Sequence, residues 1–118
     1  MNEQRKLKRR NLIYYLKVFD SKNGDLLGHL VDITLEGIML VSAKPIEINK
    51  SFKLKMELPN EIMSKTQLIF DTTSRWSKKD INPDFIDTGF QLNTLSDKDK
   101  FIVENLISEF LFKGLDQV

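Results

Sequence analysis

Ser51-Phe52-Lys53-Leu54-Lys55-Met56-Glu57-Leu58 alternates without a break, with Phe52, Leu54, Met56 and Leu58 on one parity and polar residues on the other. Successive side chains of a strand point to opposite faces, so this period of two predicts a strand with one buried face and one wet face. Pro59-Asn60 is expected to turn the chain. A partner strand then runs from about Gln67 to Ser77, with Leu68, Phe70 and Trp76 as its large apolar residues, and Trp76 is read as core, a ring that lines a binding site being the alternative.

The same logic extends upstream. Residues 12–20 are aromatic and branched and read as a strand. Ser21-Lys22-Asn23-Gly24-Asp25 follows, and Asn-Gly predicts a type I′ hairpin turn with positive φ at both central residues. The return strand covers Leu26 to about Ile33, and Ile38 to Val41 forms a third that Pro45 ends. Downstream, Lys78 to Asp87, with Pro83, is expected to be a loop, and Thr88 to Leu92 a short last strand. The period then changes. Val103, Leu106, Ile107, Phe110 and Leu111 recur at three-and-four spacing, which predicts an amphipathic helix. Ser96 is its expected N-cap, Asp97 and Asp99 suit its positive first turn, and Lys113-Gly114 is expected to stop it.

Six short strands and one helix define a mainly β fold, a small six-stranded antiparallel barrel with a C-terminal α-helix. The expected organisation is a single domain over 1–118. Residues 1–10 form a flexible basic arm, 11–95 the barrel, and 96–118 the helix and tail.

Composition narrows the function classes. The chain has no cysteine and a single histidine, His29, in a strand. Thiolate chemistry and disulfides are excluded, and a zinc site would have to be built from carboxylates. There is no nucleophile elbow and no phosphate-cradling glycine loop. Asp97, Asp99 and Glu104 are accounted for by a solvated helix. The expectation is a protein that is not an enzyme, with no cofactor and no metal. No apolar run approaches the roughly 20 residues needed to cross a bilayer, and no signal-peptide core is seen, so a cytoplasmic location without membrane insertion is expected.

Net charge is +1, yet Arg5, Lys6, Lys8, Arg9 and Arg10 gather five positive charges within six residues. The remainder of the chain is mildly acidic. A protein that coats single-stranded nucleic acid needs basic and aromatic residues spread along a groove, which argues against that rival. A short arm suits a compact anion instead.

Two motifs carry the functional reading. The arm contains an Arg-x-x-x-Arg pair, Arg5 and Arg9. The break after the second strand reads Asp32-Ile33-Thr34-Leu35-Glu36-Gly37, with 22 residues between Arg9 and Asp32. Each motif alone is common. Their combination across one hairpin resembles the PilZ family of bacterial cyclic di-GMP receptor domains, which pair such an arm with an (Asp/Asn)-x-Ser-x-x-Gly turn on a six-stranded barrel. Arg75-Trp76 and Thr88-Gly89-Phe90 also fall where such domains carry a strand tryptophan and a closing glycine-aromatic strand. Thr34 departs from the commoner serine but keeps the hydroxyl, and Lys6 with Arg10 offers a shifted register of the arginine pair.

The resemblance implies a cyclic di-GMP site made of Arg5, Arg9, Asp32, Thr34 and Gly37, with Arg10 contributing, and an arm that moves on binding to signal to a downstream protein. The chemistry suits the ligand. An arginine fork can bond guanine or grip phosphate, and lysine cannot supply the planar geometry. An ionised Asp32 can accept only, which matches guanine N–H donors. The Thr34 hydroxyl could bond base or phosphate, and Gly37 allows positive φ or close approach. A PilZ-like adaptor working through protein contacts alone, without ligand, is the other rival.

Overall fold

The computed structural model describes residues 16–62 and 64–116. Arg5, Arg9 and Arg10 lie outside the described residues, as does the first part of the strand expected over 12–20. Six strands are formed: β1 (Lys17–Asp20), β2 (Leu26–Ile33), β3 (Gly37–Ser42), β4 (Ser51–Ile62), β5 (Lys65–Lys79) and β6 (Ile86–Leu92), followed by helix α1 (Asp97–Asp116). They close into a barrel in the order β1-β2-β3-β6-β5-β4, and every pairing is antiparallel.

The alternating segment behaves as its period requires. Leu54 and Met56 are fully buried, and their partners across β5 are Phe70 and Leu68. Val18, Leu30, Leu40 and Phe90 complete the barrel interior, and Ile102, Val103 and Leu106 of α1 are buried with them in one core. Ser96 caps α1 as expected, its hydroxyl accepting the Asp99 N–H at 3.1 Å. Lys65 on β5 ties that first turn to the barrel through Asp99, 3.2 Å away.

Several boundaries differ from expectation, each for a local reason. β4 does not turn at Pro59-Asn60 but runs on to Ile62, and the reversal falls next to Ser64, at φ 66°. The ladder shifts register between Glu57 and Ile62, and Pro59 lies inside that irregular stretch, where its missing N–H interrupts no regular pairing. The expected loop over 78–87 is shorter, because Lys78 pairs with Asp87 and Lys79 with Ile86. Gly114 does not stop α1, since its backbone stays right-handed.

The β1–β2 hairpin is not type I′. Only Gly24 has positive φ, at 81°. The loop is longer, with Asp20 N–H bonding Asp25 O and Gly24 N–H bonding Asp20 O, both at 2.8 Å. The Asp20 and Asn23 carboxylate and amide oxygens accept the N–H groups of Lys22 and Asp25, which closes the longer loop from within.

Candidate functional site

The outer face of the barrel is read from register. Asp32 on β2 pairs with Met39 on β3, Met39 with Gly89 on β6, and Gly89 with Trp76 on β5. Four residues thus form one transverse row across four strands. Three interstrand spacings make that row roughly 14 Å long. Around it lies an open groove of about 360 Å³ lined by Asp32, Thr34, Gly37, Arg75, Trp76 and Gln91, with Met39 and Gly89 as floor. A larger cavity of about 550 Å³, mostly apolar, lies where the start of β2 and the end of β3 meet the 80–85 loop, and it contains none of the expected site residues.

The groove brings together three of the six expected residues: Asp32, Thr34 and Gly37. Asp32 is exposed, and its Oδ1 accepts only the adjacent Ile33 N–H, at 3.0 Å, among the described residues. Thr34 does something other than present a spare hydroxyl. Its Oγ1 accepts the N–H groups of Glu36 and Gly37 at 3.1 Å each and donates to Gly37 O at 3.3 Å. One donor and two acceptor sites are all that a hydroxyl has. Thr34 therefore holds the turn. Gly37 does not have positive φ; its requirement is closeness, because a Cβ there would lie 2.7 Å from the Phe90 carbonyl oxygen.

Trp76 is not in the core. It is 42% exposed and walls the groove. Leu68, Phe70, Thr72 and Ser74 all point inward, so strict alternation would bury residue 76 as well. A β-bulge between Ser74 and Trp76 inverts that parity. The ring then lies over Gly89, where any Cβ would overlap it, and the Lys78 ammonium stands 5.6 Å from its centroid. Arg75 faces outward on the alternation that buries Ser74, so the bulge leaves Arg75 and Trp76 exposed side by side. The Arg75 Nε donates to Gln91 Oε1 at 2.8 Å. Met39, Arg75 and Gln91 were not assigned to the site by sequence reasoning, since only the register joins them to Asp32.

Beside this row lies a second, formed by His29, Val41, Asp87 and Lys78. Asp87 is buried, its Oδ1 has no hydrogen-bond partner, and its pKa is pushed up to about 6. Burial is the main cause, and the nearby Asp80 carboxyl adds to it while Lys78 opposes it. Among the described residues no group of acidic or histidine side chains could hold a metal ion.

No protein-family model and no curated protein matches this sequence. Solved structures do. The PilZ domain of YcgR from Escherichia coli, with c-di-GMP, matches with a TM-score of 0.68 at 13% identity, over 90% of this chain and 88% of that one. The chain has the PilZ fold. The K. pneumonia MrkH–c-di-GMP complex matches with a TM-score of 0.69 at 12% identity, over 89% of this chain and 50% of that one. The Bacillus subtilis inhibitor of motility MotI/DgrA gives 0.63 at 14% identity, over 86% and 46%. This PilZ barrel thus spans about half the length of MrkH and MotI/DgrA. No described helix is long and apolar enough to cross a membrane.

Proposed function

We propose that the chain is a cyclic di-GMP receptor that works in the cytoplasm without catalysing a reaction, and that it passes its signal to a partner protein through the basic arm. The observation carrying this reading is that Asp32, the Thr34 turn and Gly37 share one groove with an exposed indole on a PilZ barrel. Similar barrels, those of YcgR and MrkH, have been solved with c-di-GMP. In this scheme Asp32 accepts guanine N–H donors, Trp76 offers a flat face for a base, and Thr34 and Gly37 shape the wall. The arm adds positive charge to that of Arg75 in the groove. Leu16 O accepts the Leu30 N–H, which places Leu16 beside β2 two residues short of Asp32. Arg9 is seven residues from Leu16, a reach of at most about 25 Å.

Trp76 is the sole tryptophan, so its emission reports on the groove without a label. Adding cyclic di-GMP to the full chain should change that emission saturably, whereas GTP and a short oligonucleotide should not. In Asp32→Asn the affinity should fall by about ten- to a hundredfold, the loss of one charge-assisted contact, with preference over cyclic di-AMP shrinking in parallel. The melting temperature should change little, because Asp32 is exposed. An emission that ignores cyclic di-GMP, or an unaltered affinity in Asp32→Asn, would overturn the reading.

A further inference from the structure

We infer that Arg75 is a preset cationic anchor for a phosphodiester of the bound dinucleotide, held in place by the barrel before the arm engages; this rests on the cyclic di-GMP reading above. A cyclic dinucleotide carries two negative phosphodiesters, and Asp32 adds a third negative charge to the same groove. Among the described residues lining it, Arg75 is the one that is positively charged. Two features fix its position. First, the backbone next to it is clamped from behind. Ser74 is fully buried, its N–H bonds Lys50 O at 2.9 Å, its carbonyl accepts the Asn49 N–H at 2.7 Å, and its hydroxyl donates to Glu47 O at 2.7 Å. Second, the guanidinium is itself oriented by Gln91 through Nε, which leaves the Nη groups as donors for a ligand.

The division of labour follows from register. Asp32 and Trp76 stand at opposite ends of one row, and Arg75 lies beside Trp76. A base resting on Trp76 would bring its attached sugar–phosphate past Arg75, while Asp32 reads guanine at the far end. Arg75 therefore contributes affinity without base preference, and it does so from a fixed backbone rather than from a segment that must be ordered on binding.

The test titrates the full chain with cyclic di-GMP and, in competition, cyclic di-AMP, by Trp76 emission and calorimetry. Arg75→Ala should weaken both nucleotides by the same factor, about ten- to a hundredfold. Arg75→Lys, which keeps the charge and loses the fork, should fall between. Gln91→Ala should cost less than Arg75→Ala, and Lys78→Ala, at the ammonium beside the Trp76 ring, under about threefold. Melting temperatures should hold, since all three side chains are exposed. A loss confined to cyclic di-GMP would make Arg75 a guanine reader and overturn the assignment. So would an unchanged affinity, or equal losses at Arg75 and Lys78. If the native chain ignores cyclic di-GMP altogether, the receptor reading falls and this inference with it.

Discussion

Asp87 carries an electrostatic cost that the groove does not need. Its carboxyl is buried on the outer face of β6, Oδ1 is unpartnered, and Asp80 faces it with a like charge that Lys78 only partly offsets. The folded-state pKa of about 6 lies above the 3.8 of an unperturbed aspartate. Between those values the folded chain binds more protons than the unfolded one, so stability falls as pH rises through this window and is lowest above it. Comparing the native chain with Asp87→Asn isolates the effect from His29 and the other titrating groups. The variant should be the more stable at pH 7.5, by on the order of 2 kcal/mol, and the difference should shrink steadily as pH falls and vanish below the 3.8 of the unfolded carboxyl. Thermal melts along a pH series from 7.5 to below 3.8 measure it. Parallel curves at every pH would show that Asp87 is paired and ionised in the fold.

At the scale of elements, the proposed site has a half built on the barrel and a half assigned to the arm. The barrel half is one turn and one bulge: Thr34 ties off the β2–β3 turn from inside, and Ser74 anchors the β5 bulge to the 47–50 segment. On the proposed reading the arm contributes arginine forks. Arg5→Lys and Arg9→Lys keep the charge but lose bidentate geometry, so each should weaken cyclic di-GMP binding by about tenfold. Lys6→Ala and Lys8→Ala should cost far less, although each removes a full charge. Calorimetry on the four variants separates the two mechanisms. Equal losses would mean that the arm acts as a diffuse tether with no fixed contacts.

Across the whole molecule, the core and the proposed binding groove occupy opposite sides of the same wall. The barrel interior, packed with Ile102, Val103 and Leu106, is the apolar core, whereas every groove residue named above faces outward. Leu54 is fully buried on β4, inside the barrel, on a strand that contributes no residue to the groove. Leu54→Ala should therefore destabilise the fold by about 2–5 kcal/mol, as buried leucine truncations do. Its affinity for cyclic di-GMP, titrated well below its melting temperature, should stay within about twofold of native. Denaturant melts and a low-temperature titration check this, and a large affinity loss in the folded variant would show that core and groove are coupled.

Local chemistry determined the strands, the helix and the turn. The alternation at 51–58 needs no partner to be read, since side-chain direction in a strand follows from the backbone itself, and Ser96 announces its helix through its own hydroxyl. The Asp32, Thr34 and Gly37 spacing was likewise visible, because those residues lie within six positions of one another. Arg5, Arg9 and Arg10 remain a sequence-level assignment, outside the described residues. What no local pattern could supply is register. Trp76 falls on the buried parity of β5, and only the bulge that pairs it with Gly89 turns it outward beside Arg75, into the groove. The same pairing sets Met39 and Gln91 beside Asp32, and leaves Asp87 buried without a partner for Oδ1. Each of these depends on which strand lies next to which, and at what offset. A one-residue offset exchanges the two faces of a strand, so tertiary pairing alone decides them.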